Sequence, residues 1–333
     1  MLTPKENFYE TIKKGGKPDR LVNLWEPFQP IMNDPLQKFT RGNRERGKNT
    51  RDKWGTMISW PAEQHAAMPH VTADDKVLPD IEKWRDYVKV PNLLEYSNDW
   101  SDAFELSDSA KKDGKVVVGF MGTGCFEQLH YLMGFEDTLM NFLIEPEAMH
   151  ELCAAIGEYR LTYAKLLVDN LKPDMILSHD DWGSKNSLFM SPEVWREFIK
   201  PLYVPIYKYM KDNGVLVMHH ADSYLEPIIG DMVELGVDIW QGVLPTNNVP
   251  KMQAELAGRM TLMGGVDSWV DRRESTEDEL RAEARRVCET YGPAGHFIPG
   301  LSYGGPGSIF PHVDPVLRDE IALYNERVYG IKA

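Results

Sequence analysis

The residues best equipped for chemistry stand together at positions 215–223, which read Val-Leu-Val-Met-His219-His220-Ala-Asp222-Ser. An apolar run with the length and β-branching of a buried strand stops abruptly in two imidazoles and a carboxylate. A central strand of a parallel sheet has no structural use for such a cluster. The carboxyl ends of such strands are where α/β enzymes place their reacting groups. The pattern recurs along the chain. Residues 175–178 stop in His179-Asp180-Asp181, residues 115–121 (ending in Met121) lead to Gly122-Thr-Gly-Cys-Phe-Glu127, and residues 237–240 stop in Gln241. Residues 260–263 lead to Asp267, 296–299 to Tyr303, and 21–25 to Glu26.

Pooled, these strand ends offer carboxylates and imidazoles and no lysine or arginine. So many donors without a balancing cation predict a bound divalent metal, and imidazole plus carboxylate without thiolate suits zinc, with iron(II) or manganese behind it. The expected ligands are His219, Asp222, Asp181 and Glu127. The expected catalytic groups are His219, His220, Asp181, Glu127 and Tyr303, with Trp25, Glu26, Met121, Trp182 and Gln241 around the substrate.

Each has a plainer reading. His219 and His220 are adjacent on a strand, so their side chains point to opposite faces and at most one faces inward. Asp180-Asp181 also reads as a cap on the helix that follows, and Glu127 as a carboxylate at a positive helix start. Asp267 reads as a cap and Tyr303 as a turn residue. Gly304-Gly305-Pro306-Gly307 resembles an anion-cradling loop, a weak signal by itself. No nucleophile elbow, P-loop or HExxH occurs, and none of the three cysteines has an adjacent base in sequence.

The elements that must position these groups follow a strand–helix rhythm from about residue 115 onward. Helical sequence from 136 to about 171 is broken at Pro146. Ser191-Pro192-Glu193 starts a helix with an N-cap and proline at N1, Asn213-Gly214 stops it, and Thr276-x-x-Glu279 reads as a capping box. Six such units in series imply right-handed parallel crossovers, and a strand at 21–25 makes seven. The expected fold is a (β/α)8 TIM barrel, one domain over residues 1–333, with 28–114 as an excursion near the barrel mouth. Residues 51–60 inside it read as a small hairpin. A doubly wound dinucleotide fold is disfavoured, because no GxGxxG follows the first strand.

The chain has 333 residues, 42% of them hydrophobic, and a net charge of −14. That charge argues against nucleic acid or an anionic membrane surface as partner. Three scattered cysteines without a CxxC favour a reducing compartment. No stretch approaches ~18 apolar residues, and the first residues lack an apolar signal core, so a soluble, cytoplasmic protein is expected.

Taken in order, several segments resemble the uroporphyrinogen decarboxylase superfamily over almost the whole length. They are Glu136-Asp-Thr-Leu-Met with Pro146-Glu147, His179-Asp180-Asp181-Trp182-Gly183 with Ser191-Pro192-Glu193 and Pro201, the His219 strand followed by Gly236-Val-Asp238, and Pro299-Gly300. The resemblance implies a (β/α)8 barrel and one of two chemistries. The decarboxylases carry an arginine-rich first loop that grips a tetrapyrrole's carboxylates; here that place reads Leu24-Trp25-Glu26-Pro27-Phe28, with no arginine. The other branch contains zinc-dependent methyltransferases that work with corrinoid proteins. Its thiol-methylating members carry His-x-Cys at the strand end and a further Cys near the C-terminus, whereas here the matching positions read His219-His220-Ala221 and Pro299-Gly300-Leu301. The resemblance therefore points to the O-demethylase-like subgroup. Such a protein moves a methyl group from a small methylated substrate, an aryl methyl ether above all, to the cob(I)alamin of a partner corrinoid protein. A decarboxylase and a non-catalytic ligand-binding barrel are the alternatives. The oligomeric state, a homodimer included, stays open.

Overall fold

A computed structural model describes residues 1–42, 44–64, 66–302 and 309–331. The apolar runs form ten strands: β1 (Phe28–Ile31), β2 (Lys48–Arg51), β3 (Met57–Trp60), β4 (Met68–Pro69), β5 (Val116–Met121), β6 (Met175–His179), β7 (Leu216–His220), β8 (Ile239–Val243), β9 (Thr261–Val266) and β10 (Phe297–Leu301). Seven of them pair in parallel in the order β1-β5-β6-β7-β8-β9-β10. Helices cover the outside of this sheet, including Ser101–Lys112, Pro146–Leu171, Lys200–Asp212, Glu277–Tyr291 and Val313–Tyr329. This is the barrel-type architecture expected.

Alternation sorts each strand into two apolar rows. Val116, Val118, Met175, Leu177, Met218, Ile239, Met263 and Ile298 form one buried cluster, the barrel interior. Val117, Met121, Ile176, Val217, Trp240, Leu262 and Phe297 belong to the larger layer beneath the helices. Both faces are dry, as parallel sheets require.

Three local expectations are met. The helical stretch breaks between Phe135–Ile144 and Pro146–Leu171. Ser191 Oγ accepts from the Val194 N–H at 3.3 Å. The Thr276–Glu279 capping box is formed in both directions. The hairpin also exists, with Arg51 opposite Met57 and Lys48 opposite Trp60, and β4 extends it to three antiparallel strands.

The first strand differs from expectation. It is Phe28–Ile31, at the start of the stretch read as excursion, not 21–25. Leu24 takes a left-handed φ of 55°, and turns through Trp25 and Glu26 follow before the chain extends. Residues 21–24 instead lie along β10 without joining its ladder. Val22 enters the interior, and Leu24 packs against Gly300. The Asn325 side-chain amide takes both the N–H and the C=O of Leu21, at 3.0 Å each. Those backbone groups are satisfied from the last helix, so no strand partner is needed.

Candidate active site

The strand ends of β6 and β7 build the site together. Their register pairs His179 with His220, and counting by two from the interior residues Leu177 and Met218 puts both imidazoles on the inner face. The rings stack at a centroid distance of 4.5 Å. His220 is the inward member of the adjacent pair.

Each imidazole is held by one nitrogen. His179 Nδ1–H donates to Glu127 Oε2 at 2.9 Å. Glu127 stays in place because the same oxygen accepts the Gly124 N–H at the start of helix Cys125–Met133. His220 Nδ1–H donates to Gln241 Oε1. The Gln241 amide is oriented in turn, since its Nε2 donates to the carbonyls of Ser302 (3.1 Å) and Leu301 (3.5 Å). Both histidines therefore present Nε2 to the mouth. The Asp181 carboxyl joins them, its Oδ1 accepting the Asp222 N–H at 3.0 Å. The candidate donor atoms of His179, Asp181 and His220 all lie within 4.8 Å of one another.

Electrostatics separate the roles. Burial pushes Glu127 up, but the charge and hydrogen bond of His179, with the Gly124 N–H, outweigh it and bring the carboxyl down to about 2. For His179, burial is outweighed by Glu127, and the imidazole rises to about 9. Burial, reinforced by Asp222 and Glu127 and opposed by His179, pushes Asp181 up to about 8. His220 is driven down to about 3 by burial and by the His179 charge, so it is neutral.

A divalent cation fits this donor set. Zinc takes neutral imidazole nitrogen and carboxylate oxygen, and a tetrahedral site spaces its ligand atoms by roughly 3.4 Å, so a modest closing of the side chains completes it. Glu127 and Gln241 occupy the positions of the outer partners that fix ligand tautomers in metal sites. The ion would displace the proton that His179 otherwise carries.

The other expected residues fall elsewhere. His219 points outward into the wall, fully buried, its Nδ1 paired with the Tyr207 hydroxyl at 2.8 Å and its ring stacked 3.9 Å from Trp182. Burial and the neighbouring imidazoles hold it well below its ordinary value. It is not among the grouped donors, and neither are Asp222 and Glu127, although the Asp222 charge acts on the Asp181 carboxyl. Trp182 is buried behind His219, with Nε1 donating to Asp180, and cannot touch a substrate. Met121 faces the helical layer. Trp25 and Glu26 precede β1, away from the mouth. Trp25 packs edge-on against Phe28, and the Glu26 carbonyl accepts from Lys115, the residue before β5. Their expected place at the mouth follows from a strand at 21–25, whereas the strand begins at Phe28. Tyr303 and the glycine-rich 304–307 lie outside the described residues.

Asp180 is a helix cap, but of Cys125–Met133, which precedes it in sequence, and not of the helix that follows as the plainer reading expects. Its carboxylate accepts the N–H groups of Phe126 and Glu127, the Trp182 indole and the Tyr203 hydroxyl. A Cβ on Gly124 would sit 1.9 Å from it, so only glycine fits there. Sequence reasoning missed His179. The available signal was that it ends its strand as His220 ends the next.

The uroporphyrinogen decarboxylase (URO-D) family model matches residues 55–316, most of the chain. The chain belongs to that family. A curated uroporphyrinogen decarboxylase from Thioalkalivibrio sulfidiphilus is 24% identical over 224 residues, which cover 61% of this chain and 57% of that relative's length. A solved methyltransferase from Methanosarcina mazei superposes with a TM-score of 0.67 at 17% identity, covering 99% of this chain and 100% of that one. That likeness establishes the shared fold. No described helix is long and apolar enough to cross a membrane.

Proposed function

We propose that this family member is a methyltransferase that moves a methyl group from a small methylated substrate, an aryl methyl ether, to the cob(I)alamin of a partner corrinoid protein. One observation carries the reading: among the described residues the mouth gathers groups that hold protons or a cation but no thiol nucleophile. Cys125, Cys153 and Cys288 are all buried, and burial pushes the thiols of Cys125 and Cys288 up to about 12. The attacking group must then arrive from outside, and a reduced corrinoid is such a nucleophile.

The barrel's task is to help the ether oxygen leave, because a phenolate whose conjugate acid has a pKa of about 10 departs slowly unaided. His179, Asp181 and His220 would hold a zinc ion, which when bound supplies Lewis acidity worth several kcal/mol on that oxygen. Glu127 keeps the His179 Nδ1 proton in place, and Gln241 does the same for His220. With no ion bound, Asp181, pushed up to about 8, would instead keep a proton at neutral pH and hand it to the departing oxygen, an effect of about 10²–10⁴-fold. Asp222 shares that inward face.

Two assays test the reading. Incubation with a reduced corrinoid protein and methoxyarenes should convert cob(I)alamin to its methylated form in the visible spectrum; no change across methoxyarenes and methylamines would sink the proposal. Elemental analysis of protein purified without chelator tests the metal. Under about one-tenth of an equivalent with activity retained leaves Asp181 as the acid. Release of CO2 with no corrinoid present would instead favour a decarboxylase, the activity named for the curated relative.

A further inference from the structure

The wall behind the site holds one charge that the proposed chemistry does not use. Arg160, on the helix Pro146–Leu171, is only 2% exposed. Its guanidinium enters between the ends of β5 and β6. Nη1 donates to the Gly122 carbonyl at 2.6 Å, and Nη2 to the Met121 carbonyl at 3.3 Å and the Ser178 hydroxyl at 3.4 Å. A guanidinium withdrawn from water is costly, and neutral oxygens offset that cost less than a bidentate carboxylate would. A charge kept at such a cost is worth tracing to what it holds.

It holds the turn that opens helix Cys125–Met133. The Gly122 carbonyl shares a rigid peptide plane with the Thr123 N–H, so fixing that oxygen fixes the plane from which Thr123 takes its φ. Thr123 stands at φ 49°, a left-handed conformation that a β-branched residue keeps only under constraint. The four N–H groups that follow are all taken. Gly124 donates to Glu127 Oε2 at 2.8 Å, Cys125 to the Tyr203 hydroxyl at 3.1 Å, and Phe126 and Glu127 to Asp180 at 3.0 Å each. Glu127 Oε2 is also the atom that meets His179 Nδ1. The carboxylate that orients His179 thus hangs on a strained turn, and Arg160 grips that turn from its upstream side.

We propose that Arg160 is a positioning residue for the metal site: by holding the Met121 and Gly122 carbonyls it keeps Thr123 left-handed and aims Glu127 at His179. It acts through the turn and touches neither metal nor substrate. The inference rests on the reading of His179 as a metal ligand.

Arg160→Met and Arg160→Lys test it, each with and without Thr123→Gly, because glycine takes the left-handed φ without strain. Two readouts are compared in protein that circular dichroism shows to be folded. One is zinc affinity, by competition with a chromogenic chelator. The other is the downfield proton resonance of His179 Nδ1–H in metal-free protein, assigned by its loss in His179→Gln, which reports the bond to Glu127. Arg160→Met should weaken zinc binding by about 10-fold, the lower end of the range for an outer partner, and move or broaden the resonance. Arg160→Lys should keep part of both, since one ammonium can still hold a carbonyl. Thr123→Gly alone should leave both unchanged, and in either Arg160 variant it should restore much of what was lost. A fall in stability with zinc affinity and resonance unaltered overturns the inference, and so does a loss that Thr123→Gly fails to relieve. If Arg160→Met does not fold, the lysine pair carries the same comparison. No zinc binding by the unaltered protein removes the metal reading instead, and the resonance alone then decides the role of Arg160.

Discussion

His179, Asp181, His220 and Asp222 face the mouth, while Asp180 and His219, their immediate neighbours in sequence, face the wall. The residue types are the same on both sides. On the wall, Asp180 is saturated by four donors, and His219 is clamped between Trp182 and Tyr207. On the mouth side, each histidine spends one nitrogen on an orienting partner and has none on the other among the described residues. Chemistry and architecture thus alternate residue by residue along one strand end, and facing decides which role a side chain takes.

The sharpest way to break this contrast is to truncate the two inward imidazoles. His179→Ala and His220→Ala should each weaken zinc binding by more than about 100-fold, beyond what the loss of an outer partner costs, and abolish methyl transfer. Metal retained by either variant, measured by elemental analysis, would refute the ligand assignment. Asp180→Ala should act on the wall instead. It strands two buried side-chain donors and uncaps a helix, for about 2–4 kcal/mol in denaturant unfolding. A variant as stable as the parent would show that Asp180 is not the strut described. Gln241→Leu tests the outer partner: about 10–100-fold weaker metal affinity with little change in unfolding midpoint, checked by competition with a chromogenic chelator. The smallest effect belongs to His219→Phe. The ring stack on Trp182 survives and a buried unpaired nitrogen disappears, so stability should shift by about 1 kcal/mol or less, with metal content unchanged. Loss of metal there would reverse the assignment of the two adjacent histidines.

Much of the architecture was readable in the sequence because strand–helix alternation is a long-range rhythm. Residues 175–179 and 215–220 carry it plainly, and the caps at Ser191 and Thr276 mark their helices by local chemistry. The phase of the alternation was not readable. In a sheet buried on both faces, Val217 and Met218 are equally apolar, so nothing in the run says which row lines the interior. Only the curl of the sheet decides it, and with it whether His219 or His220 reaches the mouth. Met121 and Trp182 were misplaced for the same reason. Trp25 and Glu26 failed differently, because Leu24 breaks the extended run with a left-handed turn that the residue type does not announce.

The Asn325 amide that holds Leu21 has a further consequence. Among the described residues no ladder of backbone bonds joins β1 to β10, and the segment before β1 is tied to the last helix by a side-chain clasp reaching across 304 positions of sequence. A hoop fastened this way has one weak stave. Amide hydrogens of residues 21–24 should exchange with solvent sooner than those of β6 and β7, and Asn325→Leu should loosen the seam while the arc that carries His179 and His220 keeps its shape.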